Sequence, residues 1–390
     1  MSAFYSFLKK FGYRNNMPGK EKVLMKFIHC ADIHLDSPFT LMSASDAVSR
    51  RSQLRSDFSS AVLYAKSEGC ELFIISGDLF DDEYVTKDTL EMLVGEMSSF
   101  PACRFVISPG NHDYYSSKSP YEFTEWPENV HIFTSDKLEY IDLPGTDVRV
   151  YGYAFVSDTM TDSPLTGFTV HDKDKINILA AHGDLCKGIS PYCPILESDI
   201  ENSGFDYVAL GHVHKASGIK YAGKTAYAYP GCIEGRGFDE TGYKGVLAGE
   251  ITKESLKLRP VRFSKGRYEV CTVDVTGAGS LAGVSGKIIE ACAEFGNDTI
   301  LRLVLEGVTT PEFSADDTAV KALLTKVGSV EVKDNTLPLY NAGFLKDDKT
   351  IVGLFYRNLE EKLVSEDIKT RQTARDALKY GLKALMGRDL

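Results

Sequence analysis

The sequence predicts an α/β protein with a large first domain, a smaller α+β domain and a helical C-terminal tail. From residue 25 to about 211, short apolar runs rich in Ile, Val and Phe alternate with helix-length amphipathic stretches. This alternation is typical of parallel strands that are buried on both faces. A separate β-α-β-α-β pattern occupies about 267–337, and residues 350–390 are amphipathic and helical.

Apolar runs and helix-capping residues give the predicted elements. The five predicted strands of the large domain are 27–31, 72–77, 104–110, 176–183 and 207–212. Helices are predicted over 49–69 and 86–100, with Gly69 capping the first and Thr86 opening the second. A second sheet is implied by three later β-rich runs, 225–231, 244–251 and 256–263. The resulting domains are an N-terminal extension over 1–24, a large domain over 25–263, a smaller domain over 264–345 and a tail over 346–390.

Composition narrows the class of function. The chain has 390 residues and a net charge of −11, which argues against a protein that coats nucleic acid through bulk positive charge. The acidic composition is compatible with a nucleic-acid enzyme whose local positive charge comes from bound metal ions. The eight cysteines form no C-x-x-C pair and the start of the chain has no apolar signal segment, so we expect reduced thiols and a cytoplasmic location. No run of about 18 apolar residues occurs, so no membrane span is expected.

Each predicted strand of the large domain ends in residue types that bind metals. These residues are Asp32 and His34, then Asp78, then Asn111, His112 and Asp113, then His182, and finally His212 and His214. Because the carboxyl ends of strands in an open α/β sheet converge on one crevice, five strand ends can deliver these groups to one place. Five of the eight histidines of the chain lie at these positions, which favours a common site.

The spacing and chemistry of these residues favour two metal ions. Asp32 and His34, like His212 and His214, are two residues apart and therefore point to the same side of an extended segment. Imidazole, carboxylate and carbonyl oxygen together suit Mn²⁺, Fe²⁺ or Zn²⁺. Seven candidate ligands are too many for one tetrahedral ion, but they fit two ions about 3.5–4 Å apart that share a carboxylate.

Each motif alone also has a structural interpretation. D-I-H can be a turn, N-H-D an Asx turn, G-D-L-F-D-D a solvated loop, and a histidine at a strand end a structural residue. All five motifs in order, each after an apolar strand, favour a metal centre instead. The remaining histidines, His29, His131 and His171, match no motif and are assigned structural roles.

The motifs D-x-H, G-D, G-N-H-D, H-G-D and G-H-x-H, in this order over about 25–263, resemble the signature of the calcineurin-like metallophosphoesterases. This resemblance implies a four-layer αββα sandwich. The stretches CADIHLDSPF, SGDLFD, SPGNHD, LGHVH and GRGFDETGYKGV are similar to bacterial SbcD-type DNA-repair exonucleases. The β-α-β-α-β segment resembles the capping domain of these nucleases, and the tail resembles the region with which they bind an SMC-like ABC ATPase.

The resemblance also assigns roles to the candidate residues. One metal would be held by Asp32, His34, Asp78 and His214, and the other by Asp78, Asn111, His182 and His212. Asp78 would bridge the two ions, with manganese expected and iron or zinc as alternatives. A metal-activated water would attack the phosphorus, and His112 would stabilise the transition state and protonate the leaving group. Arg236, in G-R-G-F, is a candidate for a phosphate contact, with a surface arginine as the alternative.

One position departs from part of the family. Many archaeal and eukaryotic relatives of these nucleases carry a second catalytic histidine three residues after the bridging aspartate, where this chain has Asp81. Bacterial relatives and Ser/Thr phosphatases carry aspartate there, and in the phosphatases it bonds the histidine of G-N-H-[DE]. We therefore expect Asp81 to orient His112. The next acidic residues, Asp82 and Glu83, are expected to form a solvated turn.

The resemblance leads to a DNA nuclease subunit that hydrolyses phosphodiester bonds as an exonuclease or endonuclease. An SMC-like ATPase partner would supply the DNA affinity that an acidic chain lacks, and a homodimer is expected from the resemblance alone. One alternative is a phosphoesterase for small phosphodiesters such as cyclic nucleotides, or for phosphoproteins. A non-catalytic scaffold is less favoured, because every ligand position of the family is intact.

Overall fold

The computed structural model describes residues 24–40, 43–81, 85–310, 313–338 and 342–385. All but the last residue of the predicted N-terminal extension, and the acidic turn at Asp82 and Glu83, lie outside the described residues. Contacts divide the chain into two units. The first extends to Arg236 and includes Gly242–Lys265, and the second comprises Gly237–Thr241 and the chain from Gly266 onwards.

The first unit is built from short strands and a few helices. Its strands are β1 (Met25–Cys30), β2 (Leu72–Ile75), β3 (Arg104–Ile107), β4 (Val130–Ile132), β5 (Glu139–Asp142), β6 (Val148–Gly152), β7 (Ile176–His182), β8 (Asp184–Leu185), β9 (Pro194–Ile195), β10 (Tyr207–Gly211), β11 (Lys220–Ala222), β12 (Thr225–Ala228), β13 (Gly245–Ile251) and β14 (Leu256–Arg262). Its helices are α1 (Ala44–Glu68), α2 (Lys87–Ser98), α3 (Pro120–Phe123) and α4 (Glu197–Ser203).

Two six-stranded sheets dominate this unit. The first has the order β14-β13-β1-β2-β3-β4, and the second has the order β11-β12-β10-β7-β6-β5. Strands β1 to β4 are parallel, and so are β12, β10, β7 and β6. Each sheet therefore brings the carboxyl ends of its parallel strands to one edge.

The allocation of strands to sheets differs from the prediction in one respect. The runs 244–251 and 256–263 form a hairpin as expected, but β13 pairs with β1 and so extends the first sheet. The second sheet is instead built around β7 and β10. Apolar periodicity identifies a strand but not the edge it joins, because an edge pairing depends on partners that are distant in the sequence. The predicted ligands consequently come from two sheets, not from one.

Three apolar cores separate four layers. Helices α1 and α2 pack on the outer face of the first sheet, where Phe58 meets Phe73 with ring centroids 6.1 Å apart. The two sheets face each other across a core that includes Phe27 and Ile178. Helix α4 and its neighbouring loops cover the outer face of the second sheet around Phe205. This helix–sheet–sheet–helix arrangement is the predicted αββα sandwich.

Capping residues explain where the two long helices begin and end. Helix α1 starts five residues before its predicted start because the side chain of Ser43 accepts a hydrogen bond from the backbone of Asp46. It ends at Gly69, which has φ of +68° and donates its N–H to the carbonyl of Ala65, as predicted for a glycine cap. Thr86 caps α2 by accepting a hydrogen bond from the backbone N–H of Thr89.

The second unit contains the predicted β-α-β-α-β order. Its strands are β15 (Arg267–Asp274), β16 (Thr299–Glu306), β17 (Val308–Thr309), β18 (Ser329–Asp334) and β19 (Leu337–Pro338). Its helices are α5 (Leu281–Ala291), α6 (Asp317–Leu323), α7 (Ala342–Asp347), α8 (Ile351–Leu363) and α9 (Ile368–Leu385). Strands β15, β16 and β18 form a parallel sheet, and α5 and α6 share a core with it around Ile288, Leu303 and Val320. Helices α8 and α9 have a smaller core of their own around Tyr356 and Leu382.

Candidate metal centre

Backbone hydrogen bonds join the loop after β1 to the loop after β2, and they bring the D-I-H and G-D motifs together. The backbone N–H groups of Ile33 and His34 donate to the carbonyl of Asp78, at 2.9 and 3.0 Å. The N–H of Asp32 donates to the carbonyl of Gly77 at 3.1 Å. D-I-H and G-D therefore lie side by side at the carboxyl edge of the first sheet, although 43 or more residues separate them in the sequence.

Four of the seven predicted ligands have a strained backbone. The φ angle is +52° at Asp32, +48° at His34, +52° at Asp78 and +110° at His212. Positive φ is rare for residues other than glycine, and each such conformation costs about 1–3 kcal/mol. Strain of this kind persists where the surrounding structure enforces it, and it clusters at functional sites.

Glycine is required at two positions where the backbone approaches these side chains. A Cβ atom on Gly110 would lie 2.2 Å from Oδ1 of Asp78. A Cβ atom on Gly77, which has φ of +85°, would lie 2.2 Å from Nδ1 of His182. Any larger residue would displace Asp78 or His182, so the glycines predicted beside the ligands are needed for close packing around them.

Four of the predicted ligands form a compact group. Donor atoms of Asp32, His34, Asp78 and His214 all lie within 4.8 Å of one another. Nε2 of His34 is 3.2 Å from Nε2 of His214 and 3.6 Å from Oδ2 of Asp78. Nε2 of His214 is 3.8 Å from Oδ1 of Asp32. This group is the set that the family resemblance assigned to one metal.

In the set assigned to the other metal, Asn111 and Asp78 lie beside His182. Its Nε2 lies 3.0 Å from Oδ1 of Asn111 and 3.5 Å from Oδ2 of Asp78. The ring of His212 packs edge-on against that of His182 with centroids 5.3 Å apart, and the backbone N–H of His212 donates to the carboxylate of Asp32. One oxygen of Asp78, Oδ2, thus lies 3.5–3.6 Å from a histidine nitrogen of each set, so this carboxylate would serve both ions if they were bound.

The donor and acceptor roles of the ring nitrogens of His34 and His182 show whether cations can lie between the candidate ligands. Nδ1 of His182 donates to the carbonyl of Ser76 at 2.9 Å, so its Nε2 presents a lone pair toward the oxygens of Asn111 and Asp78. Nδ1 of His34 donates to Asp81 at 2.7 Å, so its Nε2 also presents a lone pair. Buried lone pairs that face one another are costly unless a cation lies between them. The donors are imidazole, carboxylate and amide oxygen, and they fit two divalent ions.

The protonation states of the histidine ligands agree with this. Burial lowers the pKa of His34 and of His182, and burial with the charge of His182 lowers that of His212 to about 4. These imidazoles are therefore neutral near pH 7, the form that binds metal. Burial and the charge of Asp78 raise the pKa of Asp32 to about 8. Burial opposes ionisation of Asp78 too, but His182 and His34 outweigh it and hold its pKa at about 2.

Asp81 lies between two histidines, and its contact with His34 is the shorter one. Its Oδ1 accepts from Nδ1 of His34 at 2.7 Å and lies 3.5 Å from Nδ1 of His112. The sequence predicted an orienting role toward His112. The structure adds a shorter contact to His34, a predicted metal ligand, which the sequence did not predict.

His112 is the exposed member of the site. Its side chain is 54% exposed, whereas those of Asp32, His34, Asp78 and His182 are buried. Its backbone N–H donates to Oδ1 of Asp78 at 3.0 Å, which fixes the residue against the centre. An imidazole that is anchored by its backbone and open to solvent is placed to exchange a proton with a substrate.

Arg236 lies beside the ligand group and not on a distant surface. Its Nη2 is 3.1 Å from Nδ1 of His214. Its charge also acts on the carboxyl groups of Asp32 and Asp81. The contact between Arg236 and a substrate phosphate stays a prediction.

Asp113 has a role that the sequence did not reveal. Its fully buried carboxylate accepts from the backbone N–H groups of Asp78 (3.1 Å), Gly110 (2.7 Å) and Leu79 (2.6 Å), and from the hydroxyl of Tyr121 (2.6 Å). It therefore joins the loop that carries Asp78 to the loop that carries Asn111. The only signal in the sequence is its place at the end of N-H-D, where an Asx turn is an equally good interpretation.

Asp36 joins the site loop to both long helices. It has φ of +62°, and its carboxylate accepts from Arg55 of α1 at 2.7 Å and from the backbone and hydroxyl of Thr86 at 2.8 Å each. These partners lie 19 and 50 residues further along the chain, so no local pattern could have identified them.

Comparisons with known proteins agree with this geometry. Residues 25–216 match the family model described as calcineurin-like phosphoesterase. The chain is 30% identical over 304 residues to an uncharacterized metallophosphoesterase, YhaO, of Bacillus subtilis (strain 168), an alignment that covers 74% of this chain and 73% of YhaO. That relative is uncharacterized, so it supports the superfamily and not the SbcD-type assignment.

Two solved structures align with 62% of this chain at 11% identity. One is TT1561 of Thermus thermophilus, covered over its whole length with a TM-score of 0.38. The other is a dimetal phosphatase from Danio rerio, covered over 97% with a TM-score of 0.40. Within the described ranges, every helix is too short or too polar to traverse a lipid bilayer. The family match, the relative and the Asp/His cluster together show that the chain belongs to the calcineurin-like phosphoesterases and is a metal-dependent phosphoesterase.

Proposed function

We propose that this protein is a DNA phosphodiesterase, the nuclease subunit of a complex with an SMC-like ABC ATPase, and that it uses two Mn²⁺ ions. The observation that carries this proposal is the openness of one side of the centre. Asp32 and Asp78 are buried, whereas the side chain of His112 beside them is 54% exposed. A polymer can approach such a face from solvent without entering a closed pocket.

The proposed reaction assigns separate roles to the bound cations, Asp81 and His112. Two divalent cations held by the ligands named above would supply Lewis-acid polarisation of the phosphate and would lower the pKa of a water molecule. Asp81 accepts a hydrogen bond from Nδ1 of His34 and so holds the ring with Nε2 toward the centre. The same carboxylate faces Nδ1 of His112, which leaves Nε2 of His112 to donate a proton to the leaving oxygen.

The charge of the centre suits a diester. Two divalent cations add four positive charges, and Asp32, Asp78 and Asp81 offset three of them when ionised. Arg236 contributes one more positive charge beside His214. The resulting excess of two positive charges attracts a phosphodiester, which carries one negative charge.

An aromatic side chain next to the centre supports a nucleic-acid substrate. The ring of Tyr192 is 36% exposed and lies with its centroid 5.0 Å from that of His212. A nucleobase that stacks on such a ring gains about 1–3 kcal/mol, independent of base identity. This contact would hold the nucleotide next to the phosphate that is cut.

The tail helices support the proposed ATPase partner. Helices α8 and α9 bury Tyr356 and Leu382 between them but leave Ile351, Leu354 and Ile368 more than half exposed. An exposed apolar helical surface of this kind is suited to docking against a partner helix. The ATPase would also supply DNA affinity that a chain of net charge −11 lacks.

The test compares DNA with small diesters. With Mn²⁺, purified protein should cut linear DNA, and more so with the ATPase subunit and ATP, while Asp78→Asn is inactive. Tyr192→Ala should lower cleavage of DNA more than hydrolysis of bis(p-nitrophenyl) phosphate. Hydrolysis of bis(p-nitrophenyl) phosphate or cyclic nucleotides with no cutting of DNA, even alongside the ATPase, would contradict the nuclease function and favour a small-substrate phosphoesterase.

A further inference from the structure

Two carboxyl groups outside the metal centre are buried against each other. Asp57 lies on α1, and Glu234 lies in the segment after β12; they are 1% and 2% exposed. Buried carboxyl groups are rare because removing a negative charge from water is costly. A pair of them needs a specific explanation.

Their hydrogen bonds account for one oxygen of each carboxyl group. Oδ1 of Asp57 accepts from Gln53 at 2.6 Å, and Oε1 of Glu234 is paired with Arg50 at 3.0 Å. The other oxygens, Oδ2 of Asp57 and Oε2 of Glu234, are buried and receive no N–H or O–H donor from the described part of the chain. The two side chains are, however, within hydrogen-bond reach of each other. One proton between them satisfies both oxygens.

We propose that Asp57 and Glu234 share a proton, with Oδ2 of Asp57 donating to Oε2 of Glu234, and that this bond positions residues 231–236 against His214. The surroundings favour a protonated Asp57. Burial, then the charge and the hydrogen bond of Glu234, raise the pKa of Asp57 to about 8, against smaller opposing effects of Gln53 and Lys265. The charged groups that act on the pair are Arg50 of α1, bonded to Glu234, and Lys265, beyond β14.

The segment 231–236 touches the metal ligand His214 at several points. The backbone N–H of Cys232 donates to the carbonyl of His214 at 3.3 Å, and Arg236 contacts its ring at 3.1 Å. Gly231 approaches so closely that a Cβ there would lie 2.9 Å from the same carbonyl. Arg50 bonds both Glu234 and the carbonyl of the next residue, Gly235. Glu234 thus anchors the segment that lies against the backbone carbonyl of His214 through Gly231 and Cys232.

Loss of the shared proton should loosen this anchor. The pKa of Asp57 in the folded protein is about 8, above the ordinary value of about 3.9 for an unfolded chain. The stability that this group contributes is therefore complete below pH 4 and is lost as the pH rises toward 8. Above that pH, two buried carboxylates repel each other with Arg50 as their bonded counter-charge, and the segment that holds His214 is destabilised.

The variants Asp57→Asn and Asp57→Ala separate the proposal from a simple packing role. The amide of asparagine can donate to Glu234 and does not titrate, whereas alanine removes the bond. With Mn²⁺ and bis(p-nitrophenyl) phosphate, wild-type activity should decline with an apparent pKa near 8. Asp57→Asn should shift this decline upward by at least one pH unit. Asp57→Ala should bind Mn²⁺ at least tenfold more weakly at pH 7, and Asp57→Asn should restore wild-type binding.

Two further measurements test the shared proton even where Asp57→Ala folds poorly. An infrared difference spectrum at pH 7 should show a protonated carboxyl band in the wild-type protein that Asp57→Asn lacks. The free energy of unfolding of the wild type should fall more steeply between pH 5 and 8 than that of Asp57→Asn. The proposal is overturned by coincident pH profiles, by Asp57→Ala binding Mn²⁺ as the wild type does, or by an ionised Asp57 at pH 7.

Discussion

Asp81 accepts a 2.7 Å hydrogen bond from Nδ1 of His34, and this bond points the other ring nitrogen of His34 into the metal-ligand group. Carboxylates in this position fix the tautomer and the orientation of a metal-binding histidine. The 3.5 Å separation from His112 makes Asp81 a neighbour of the proposed proton donor as well. One carboxylate thus links His34 of the candidate ligand group to His112.

Replacement of Asp81 by asparagine should weaken metal binding without abolishing it. Loss of a carboxylate behind a ligand histidine typically costs about 10–100-fold in metal affinity. We expect a loss of this size for one of the two ions by calorimetric titration, together with a lower kcat at saturating metal. The exposed Asp136 offers a matched control, because Asp136→Asn removes the same charge away from the site. Unchanged metal affinity with a lower kcat would show that Asp81 acts through His112 alone.

His112→Ala should remove turnover and leave both metals bound. The side chain is exposed and contributes no atom to the group of four ligands, so its loss should neither open a core nor uncover a buried charge. The measurement is metal content by mass spectrometry beside hydrolysis of bis(p-nitrophenyl) phosphate. His171→Ala is the control, since His171 is exposed and matches no motif. If His112→Ala also loses metal, then His112 is a ligand and not a proton donor.

The positions of the candidate ligands were largely predictable because these residues follow buried strands. Asp32, Asp78 and His182 come directly after apolar runs, and the edge of a parallel sheet collects such residues whatever lies between them in the chain. The residues that hold the ligands in place were not predictable. Asp113 and Asp36 depend on backbone groups and side chains that only the folded chain brings near, and their local patterns resemble ordinary turns.

The fold was predictable to the level of elements, and less so to the level of sheets. The β-α-β-α-β order of the second unit and the caps at Gly69 and Thr86 follow from local physics, namely periodicity and unpaired backbone groups at helix ends. The placement of β13 beside β1 does not follow from local physics, because strand pairing is decided by burial of both faces in the assembled sandwich.

Metal should stabilise the folded protein through Asp78. A ligand that binds only the native state adds stability in proportion to the logarithm of its concentration over Kd, about 2.7 kcal/mol at 100 times Kd. We therefore expect Mn²⁺ to raise the Tm of the wild type and EDTA to reverse the effect. Asp78→Asn should show little response, because it weakens both sets of ligands. An equal rise in Tm for the wild type and for Asp78→Asn would exclude Asp78 as a ligand.

Asp113→Asn should destabilise the fold more than Tyr121→Phe does. Asparagine presents an NH₂ group where Oδ2 now accepts from Leu79 and Tyr121, and an unsatisfied buried N–H costs about 1–3 kcal/mol. Tyr121→Phe removes one hydroxyl donor and should cost about 0.5–1.5 kcal/mol. Urea unfolding of the metal-free proteins measures both. Equal losses would mean that the backbone bonds of Asp113 contribute little.

Arg236 should bind substrate and should not strengthen metal binding. Its guanidinium donates to Nδ1 of His214, which places the proton of a neutral ring on Nε2, the atom that faces His34. If Nε2 of His214 held a metal, the ring proton would lie on Nδ1, and Arg236 would turn from the ring toward a substrate phosphate. Arg236→Gln should therefore raise KM for bis(p-nitrophenyl) phosphate about tenfold, because it loses one charge-assisted contact of about 1.5–3 kcal/mol. Its affinity for Mn²⁺ should equal or exceed that of the wild type. Arg149→Gln, which breaks an ion pair with Asp142 on β5, is the control. Weaker Mn²⁺ binding in Arg236→Gln with unchanged KM would instead make Arg236 a support for His214.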